Sequence, residues 1–265
     1  IVEAIYGYND SFLLMTWILP KTGSEVELEV RVFWNEKDKM LKLSVPTALT
    51  NAKYFGEVAY GREELPDIGQ EVVAQKWVAV VSESDDLAST VINNGIYGSS
   101  FRDGEVRLSL LRSPAYAAHP LGDWEYIPDN MFRPRIDQGE RVFRFWFNAG
   151  PMEERLNAIA REALVQNEKP MVQWFNPSGR GSRLKSFVAL SNQNIQLTAL
   201  KQSEDGKGWI IRLFEPTGRK QKTQLRISFG KTIRKAVILK PFEIRTYKLD
   251  TAGATLVETN LIEEV

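Results

Sequence analysis

Apolar and polar residues alternate with a period of two along most of this chain, and that pattern narrows the fold more than any other feature. From Glu25 to Val32 the chain reads Glu-Val-Glu-Leu-Glu-Val-Arg-Val. Val26, Leu28, Val30 and Val32 fall on one face, with Glu25, Glu27, Glu29 and Arg31 on the other. That is the signature of an antiparallel strand with one buried and one wet face. Leu41 to Val45 repeats it after a charged turn at Asn35 to Asp38. Further strands are expected at Val72–Val81, Val106–Leu111, Val142–Phe147, Phe187–Leu190, Ile195–Leu200, Trp209–Phe214, Thr223–Phe229, Ala236–Leu239 and Glu243–Leu249. Turn signals punctuate them: Lys21-Thr22-Gly23, Asn93-Asn94-Gly95, Arg102-Asp103-Gly104, Glu204-Asp205-Gly206 and Pro216-Thr217-Gly218. Asp-Gly and Asn-Gly tolerate the positive φ of tight hairpins. Many short strands at such spacing predict β-sandwiches rather than an alternating β/α fold.

One segment breaks the period. From Met152 to Gln166, Met152, Leu156, Ile159, Ala160, Ala163 and Leu164 recur at helical spacing, after Pro151 and with Glu153-Glu154 in the first turn. This predicts a single helix that Lys169-Pro170 terminates. The loop from Pro177 to Arg183 then marks a division, giving a larger sandwich over 1–176 and a smaller one over 177–265.

Composition removes several function classes. The 34 basic and 34 acidic side chains cancel, so no long-range field draws nucleic acid or an anionic membrane. No apolar run approaches the roughly 20 residues of a membrane span. Without cysteine there is neither a disulfide nor a thiolate metal site, which fits a reducing, cytoplasmic compartment. The chain starts Ile1-Val2-Glu3-Ala4, with no initiator Met and no signal peptide, as expected of a processed chain or a piece of a longer one. A catalytic zinc commonly takes three protein ligands, whereas the one histidine, His119, precedes Pro120 and reads as an ordinary loop residue.

Other constellations resolve to structural readings. Ser178-Gly179-Arg180-Gly181-Ser182-Arg183 lacks the Lys and the following helix of a phosphate loop. Glu63-Glu64 and Asp85-Asp86 are adjacent, so on a strand each pair splits between opposite faces, and they read as solvated turn residues rather than an acid/base dyad. Trp34, Trp77, Trp146 and Trp209 sit in strand-like contexts and read as packing residues. The loop Thr90 to Gly98 gathers amides, glycines and Tyr97. Arg112 closes the strand ending Leu108-Ser109-Leu110-Leu111, on the alternation face of Leu108 and Leu110. An arginine there serves either a strand-end ion pair, which chemistry alone favours, or donation to sugar hydroxyls.

These stretches resemble the C-terminal region of glycoside hydrolase family 38 α-mannosidases. The resemblance rests on Glu71 to Trp77-Val78, Asn93 to Gly98, Leu108 to Pro114, and Asp137-Gln138-Gly139 ahead of Phe143–Phe147. Val32-Phe33-Trp34 and Met40 to Leu43 fit upstream; Phe187 to Ser191, Leu197 to Lys201 and Ile211-Arg212-Leu213 fit downstream. It implies an all-β fold, a large antiparallel super-sandwich like that of galactose mutarotase followed by a small β-sandwich. It also implies retaining hydrolysis of α-mannosides, with one carboxylate as nucleophile and a second carboxyl group as acid then base. The family's zinc ligands, two histidines and two aspartates, and its nucleophile belong to a preceding α/β domain and helical region. No cofactor is therefore expected in this chain, zinc is expected in that N-terminal catalytic domain, and the chain alone is expected to be inactive. The implied partners are that domain and an α-mannoside, with homo-oligomerisation possible. The family's C-terminal domain lends the sugar site an arginine from a strand end. Leu110-Leu111-Arg112 matches that motif, making Arg112 the first candidate. Asn94, Tyr97 and Asp137 are weaker ones, the last two favoured as structural residues. The competing reading is an independent carbohydrate-binding or mutarotase-like module.

Overall fold

The computed structural model describes residues 1–115, 132, 134–174, 176, 186–229, 231–250 and 255–264. His119 and the Pro177–Arg183 loop, where the sequence places its division, lie outside them. The chain forms two compact units, 1–57 with 64–155, and 58–63 with 156–265.

Residues 1–151 form β1 (Val2–Tyr8), β2 (Ser11–Ile18), β3 (Val26–Trp34), β4 (Met40–Pro46), β5 (Lys53–Val58), β6 (Gly61–Leu65), β7 (Val72–Val73), β8 (Trp77–Ser82), β9 (Leu87–Asn93), β10 (Gly98–Arg102), β11 (Glu105–Arg112) and β12 (Gly139–Pro151), all of them in the first unit except most of β6. They make an eight-stranded sheet in the order β1-β2-β3-β12-β9-β8-β5-β6 and a four-stranded sheet in the order β4-β11-β10-β7. One apolar core takes side chains from both sheets: Leu28, Val30 and Val32 from β3 and Phe145 from β12 meet Phe101, Val106 and Leu108 from the smaller sheet. The two sheets thus form a sandwich, in which each inner face needs the other to leave water.

The second unit holds most of α1 (Met152–Asn167), then β13 (Val188–Leu190), β14 (Gln196–Gln202), β15 (Gly208–Phe214), β16 (Gln221–Phe229), β17 (Lys231–Leu239), β18 (Ile244–Asp250) and β19 (Thr255–Thr259). Its sheets run β13-β16-β17 and β14-β15-β18-β19. Ile211, Leu213, Leu225, Val237 and Tyr247 form its core. The fold is therefore all-β with one helix among the described residues, a larger sandwich followed by a smaller one, as the alternation indicates.

Local chemistry explains the agreement and the departures. Val26 to Val32 alternates as expected, with Leu28, Val30 and Val32 buried and Arg31 exposed. Asp103 and Gly104 both take positive φ, 52° and 77°, in the two-residue turn that joins Arg102 to Glu105. Trp34, Trp77 and Trp146 are buried, and Trp209 packs against the second core. Val72–Val81, read as one strand, is two: β7 joins the smaller sheet and β8 the larger. Between them, at Gln75-Lys76, the chain crosses from one layer to the other, and the apolar run Trp77 to Val81 shows no alternation because β8 is buried on both faces. Glu63 and Glu64 lie in β6, not in a turn, and both are exposed.

Candidate functional site

The region that gathers the candidates is the end of the smaller sheet where β11 stops. β11 pairs with β4, Ser109 opposite Lys42, but the ladder then steps to Leu111 opposite Leu41 and Arg112 opposite Met40. Leu110 is an extra residue in a β-bulge. Strict alternation would place Arg112 on the face of Leu108 and Leu110. Instead the bulge buries Leu110 and Leu111 in succession, 7% and 6% exposed, and turns Arg112 to the wet face. This corrects the facing read from the sequence.

The strand end is firmly held. Asp38 N–H donates to Ser113 O and Ser113 N–H to Lys39 O, both at 2.8 Å. The buried Trp34 indole N–H donates to Ser113 Oγ at 3.1 Å. The Asp137 carboxylate accepts the Arg112 backbone N–H at 3.4 Å from a residue at φ 53°. Arg135 grips Asp38 with two hydrogen bonds of 3.1 and 2.9 Å. That bond, set against partial desolvation, holds the Asp38 carboxyl below its usual range. The Arg112 guanidinium has no ion-pair partner among the described residues, so the strand-end salt bridge that chemistry alone favours is not formed there.

The other candidates share this end of the sheet. Ser99 pairs with Leu108, so the residue before it, Gly98, stands beside Ser109, where an added Cβ would meet Ser109 Cβ at 3.3 Å. The Asn94–Tyr97 loop leads directly into that position. Asn94 is exposed and donates its backbone N–H to Arg144 O at 3.2 Å. Tyr97 is 52% exposed, its carbonyl accepting from Ala74 N–H at 2.9 Å. Arg112 and Asp137 are thus in contact, while Asn94 and Tyr97 lie in the loop that leads into β10. The residue that shapes the loop is the buried Asn93. Its Oδ1 accepts from Gly95 and Ile96 N–H at 3.1 and 2.9 Å, and its Nδ2 donates to Gln75 O at 2.9 Å. A side-chain amide capping the two following N–H groups is a turn signal that Asn93-Asn94-Gly95 carries in sequence.

A polar network that sequence reasoning did not single out lies on the same wet face. The Glu71 carboxylate accepts from Lys42 Nζ and from the Ser109 hydroxyl. Gly98 makes room for it: a Cβ there would sit 3.2 Å from Glu71 Oε1. Met40, the ladder partner of Arg112, also lines a groove of about 400 Å³ with Tyr6, Tyr8, Phe12, Trp34 and Lys39. Beside it the buried Glu36 accepts from Asn9 Nδ2 at 3.0 Å and Ser11 Oγ at 2.9 Å. The Asn9 bond is the largest of the influences that hold this carboxyl below its usual range, and burial opposes it. A depressed folded-state value adds stability above the unfolded value, lost as pH falls through the folded one. Wild type is expected to lose stability more steeply than Glu36→Gln below about pH 4; urea melts at neutral and acid pH check this.

Among the described residues no group of three or more His, Cys, Asp or Glu side chains converges as a metal site requires. No described helix is long and apolar enough to cross a membrane.

The fold and this sheet end define a two-sandwich β-module that presents Arg112 at the end of β11 with no ion-pair partner among the described residues. Residues 2–130 match the glycosyl hydrolases family 38 C-terminal domain, and residues 194–238 match the family 38 C-terminal beta sandwich domain. The chain is 27% identical to alpha-mannosidase G of Dictyostelium discoideum over 77% of its own length, and 31% identical to mouse alpha-mannosidase 2C1 over 73%. In both cases it spans 18% of the relative. An alpha-mannosidase structure from Enterococcus faecalis V583 superposes on 90% of this chain and 28% of its own, with TM-score 0.71 at 18% identity. A second Enterococcus faecalis family 38 structure, 20% identical, gives 0.72 over 90% of this chain and 29% of its own. The chain belongs to glycosyl hydrolase family 38, as its C-terminal β-domains.

Proposed function

We propose that this chain is the non-catalytic C-terminal portion of a retaining α-mannosidase. In this reading it supports an N-terminal catalytic domain and lends Arg112 to the mannoside site. One observation carries it: an exposed guanidinium without an ion-pair partner among the described residues, on a strand end fixed by a bulge, by Ser113 and by Asp137. A free guanidinium on a rigid mount suits donation to hydroxyls or a carboxylate. Zinc and the catalytic carboxylates belong to the catalytic domain in this reading, and a cytoplasmic setting fits the absence of cysteine. Asn94, Tyr97 and Asp137 are proposed to line the same edge, Asp137 by positioning the Arg112 backbone.

In the full-length enzyme, Arg112→Ala is expected to lower kcat/KM for an aryl α-mannoside by roughly ten- to a hundredfold, the worth of one charged hydrogen bond. Arg112→Lys is expected to recover part of the loss. Unchanged kinetics would return Arg112 to a structural role. The isolated chain is expected neither to turn over the substrate nor to bind mannose by calorimetry. Binding would favour an independent carbohydrate-binding module, and turnover would relocate the active site.

A further inference from the structure

We propose that Asn94 is a site of spontaneous covalent modification, at which the chain converts its own amide to a carboxylate at a pace held down by Asn93. The step needs an asparagine side chain free to turn, a following residue that does not crowd it, and a main-chain nitrogen that can give up its proton. Asparagine is among the thermolabile residues, and of all those in the chain only Asn94 is followed by glycine. Asn94 is exposed, and its side-chain amide has no hydrogen-bond partner among the described residues. Gly95 takes φ 90°, which glycine adopts without strain. Where a Cβ would stand on Gly95, no atom lies within 4 Å. The other asparagines are each followed by a residue with a side chain, which hinders the same approach.

The reaction balances with water alone. The Gly95 nitrogen attacks Asn94 Cγ, so that an N–Cγ bond forms and the Cγ–Nδ2 bond breaks. The side-chain amide leaves as ammonia, taking up the proton that Gly95 gave, and a cyclic imide remains. Water then opens the imide. Attack at Cγ leaves aspartate on an unchanged main chain, whereas attack at the Asn94 carbonyl carbon leaves isoaspartate, with the main chain running through Cβ and Cγ. Asn93 slows the first step. The Gly95 nitrogen attacks only after losing its proton, and that N–H is donated to Asn93 Oδ1 at 3.1 Å. Asn93 is itself 2% exposed, and its Nδ2 is fixed on Gln75 O at 2.9 Å, so the acceptor stays in place. Leaving such a bond first slows the attack by roughly two- to tenfold. Isoaspartate adds one main-chain atom between Asn93 and Gly95, so the cap on Gly95 and Ile96 cannot re-form in its present geometry. The conversion is independent of the role proposed for Asn94 at the mannoside edge, but it would change that edge by replacing a neutral amide with an acid.

The test keeps the folded chain in mildly alkaline buffer beside the same chain in urea. Peptide mass mapping follows Asn94, and an isoaspartyl methyltransferase marks the isoaspartyl product. In the folded chain Asn94 is expected to convert before any other asparagine, and more slowly than in urea. Asn93→Ala is expected to speed the folded conversion by about two- to tenfold, while Asn94→Gln removes the early product. Amide hydrogen exchange at Gly95 in the wild type tests the brake without a variant, and slow exchange is expected. Asn94 intact in the folded chain once the urea sample has converted, or another asparagine reacting first, would overturn the site. A folded Asn93→Ala that converts no faster, or a Gly95 amide that exchanges freely in the wild type, would overturn the part given to Asn93.

Discussion

Glu215→Ala is expected to destabilise the second sandwich by about 3–5 kcal/mol. Glu215 is completely buried between β15 and β16. Its Oε1 accepts from Thr217 N–H at 2.8 Å and from the Thr217 hydroxyl, and its Oε2 accepts from Gly218, Arg219 and Phe242 N–H at 2.9, 3.2 and 3.2 Å. One carboxylate therefore satisfies the N–H groups of the whole Pro216–Arg219 turn and ties in the turn before β18. Alanine leaves these donors without their acceptor in a place water enters poorly, and each orphaned group costs roughly 1–3 kcal/mol before relaxation. Glu215→Gln keeps one acceptor oxygen but aims an NH₂ at N–H donors, and is expected to lose about half as much. Urea unfolding followed by tryptophan fluorescence measures both. A loss below about 1 kcal/mol for alanine would show that solvent replaces the carboxylate, and that the turn does not depend on it.

The second large effect is expected at Tyr54, which joins the two sheets of the first sandwich. It is fully buried on β5, its hydroxyl donates to Ser99 Oγ of β10 at 2.7 Å, and its ring stacks on Phe101 with centroids 5.2 Å apart. Tyr54→Ala opens a cavity across the core and is expected to cost about 3–5 kcal/mol. Tyr54→Phe keeps the ring, removes the partner of Ser99, and is expected to cost about 1 kcal/mol. The pair separates packing from hydrogen bonding. Burial also pushes the Tyr54 phenol well above its ordinary range, more than the Ser99 bond lowers it. A raised folded-state value gives stability that is full below the unfolded value of about 10 and lost as pH rises beyond it. Tyr54→Phe is therefore expected to flatten the alkaline limb of the stability curve. An identical alkaline limb in both proteins would mean that other groups set it.

The elements that announce themselves in sequence are those with one wet face. β3 reads correctly because Glu27, Glu29 and Arg31 alternate with a buried row, and α1 because its apolar residues recur every three to four positions. β8 and β9 are buried on both faces over most of their length, so alternation has nothing to report, and β8 merges with β7 into one apparent strand. β5 carries Gly56 in its middle, a position that argues against a strand by propensity. There a Cβ would come within 2.6 Å of Ala74 Cβ and 2.7 Å of Leu65 Cδ1, a constraint set by tertiary packing alone.

At the candidate site, sequence pattern identifies the right strand and assigns Arg112 the wrong face. The bulge at Leu110 rests on cross-strand pairing with β4, which lies over 60 residues earlier in the chain, and no local window contains that information. Glu71 was invisible as a partner of Lys42 and Ser109 for the same reason. Asn93 and Asn94 differ in role, buried cap and exposed loop residue, although composition treats them alike.

The bulge has a further consequence. Because two consecutive leucines are anchored in the core immediately before Arg112, the main chain beneath that side chain is immobilised by packing and by the ladder to Met40, and not by the Asp137 carboxylate alone. Raising ionic strength weakens the exposed ion pairs elsewhere on the sandwich but leaves this mount in place. A ligand that meets the guanidinium has only the rotors of one side chain to order, and the entropy of the backbone was settled when the protein folded.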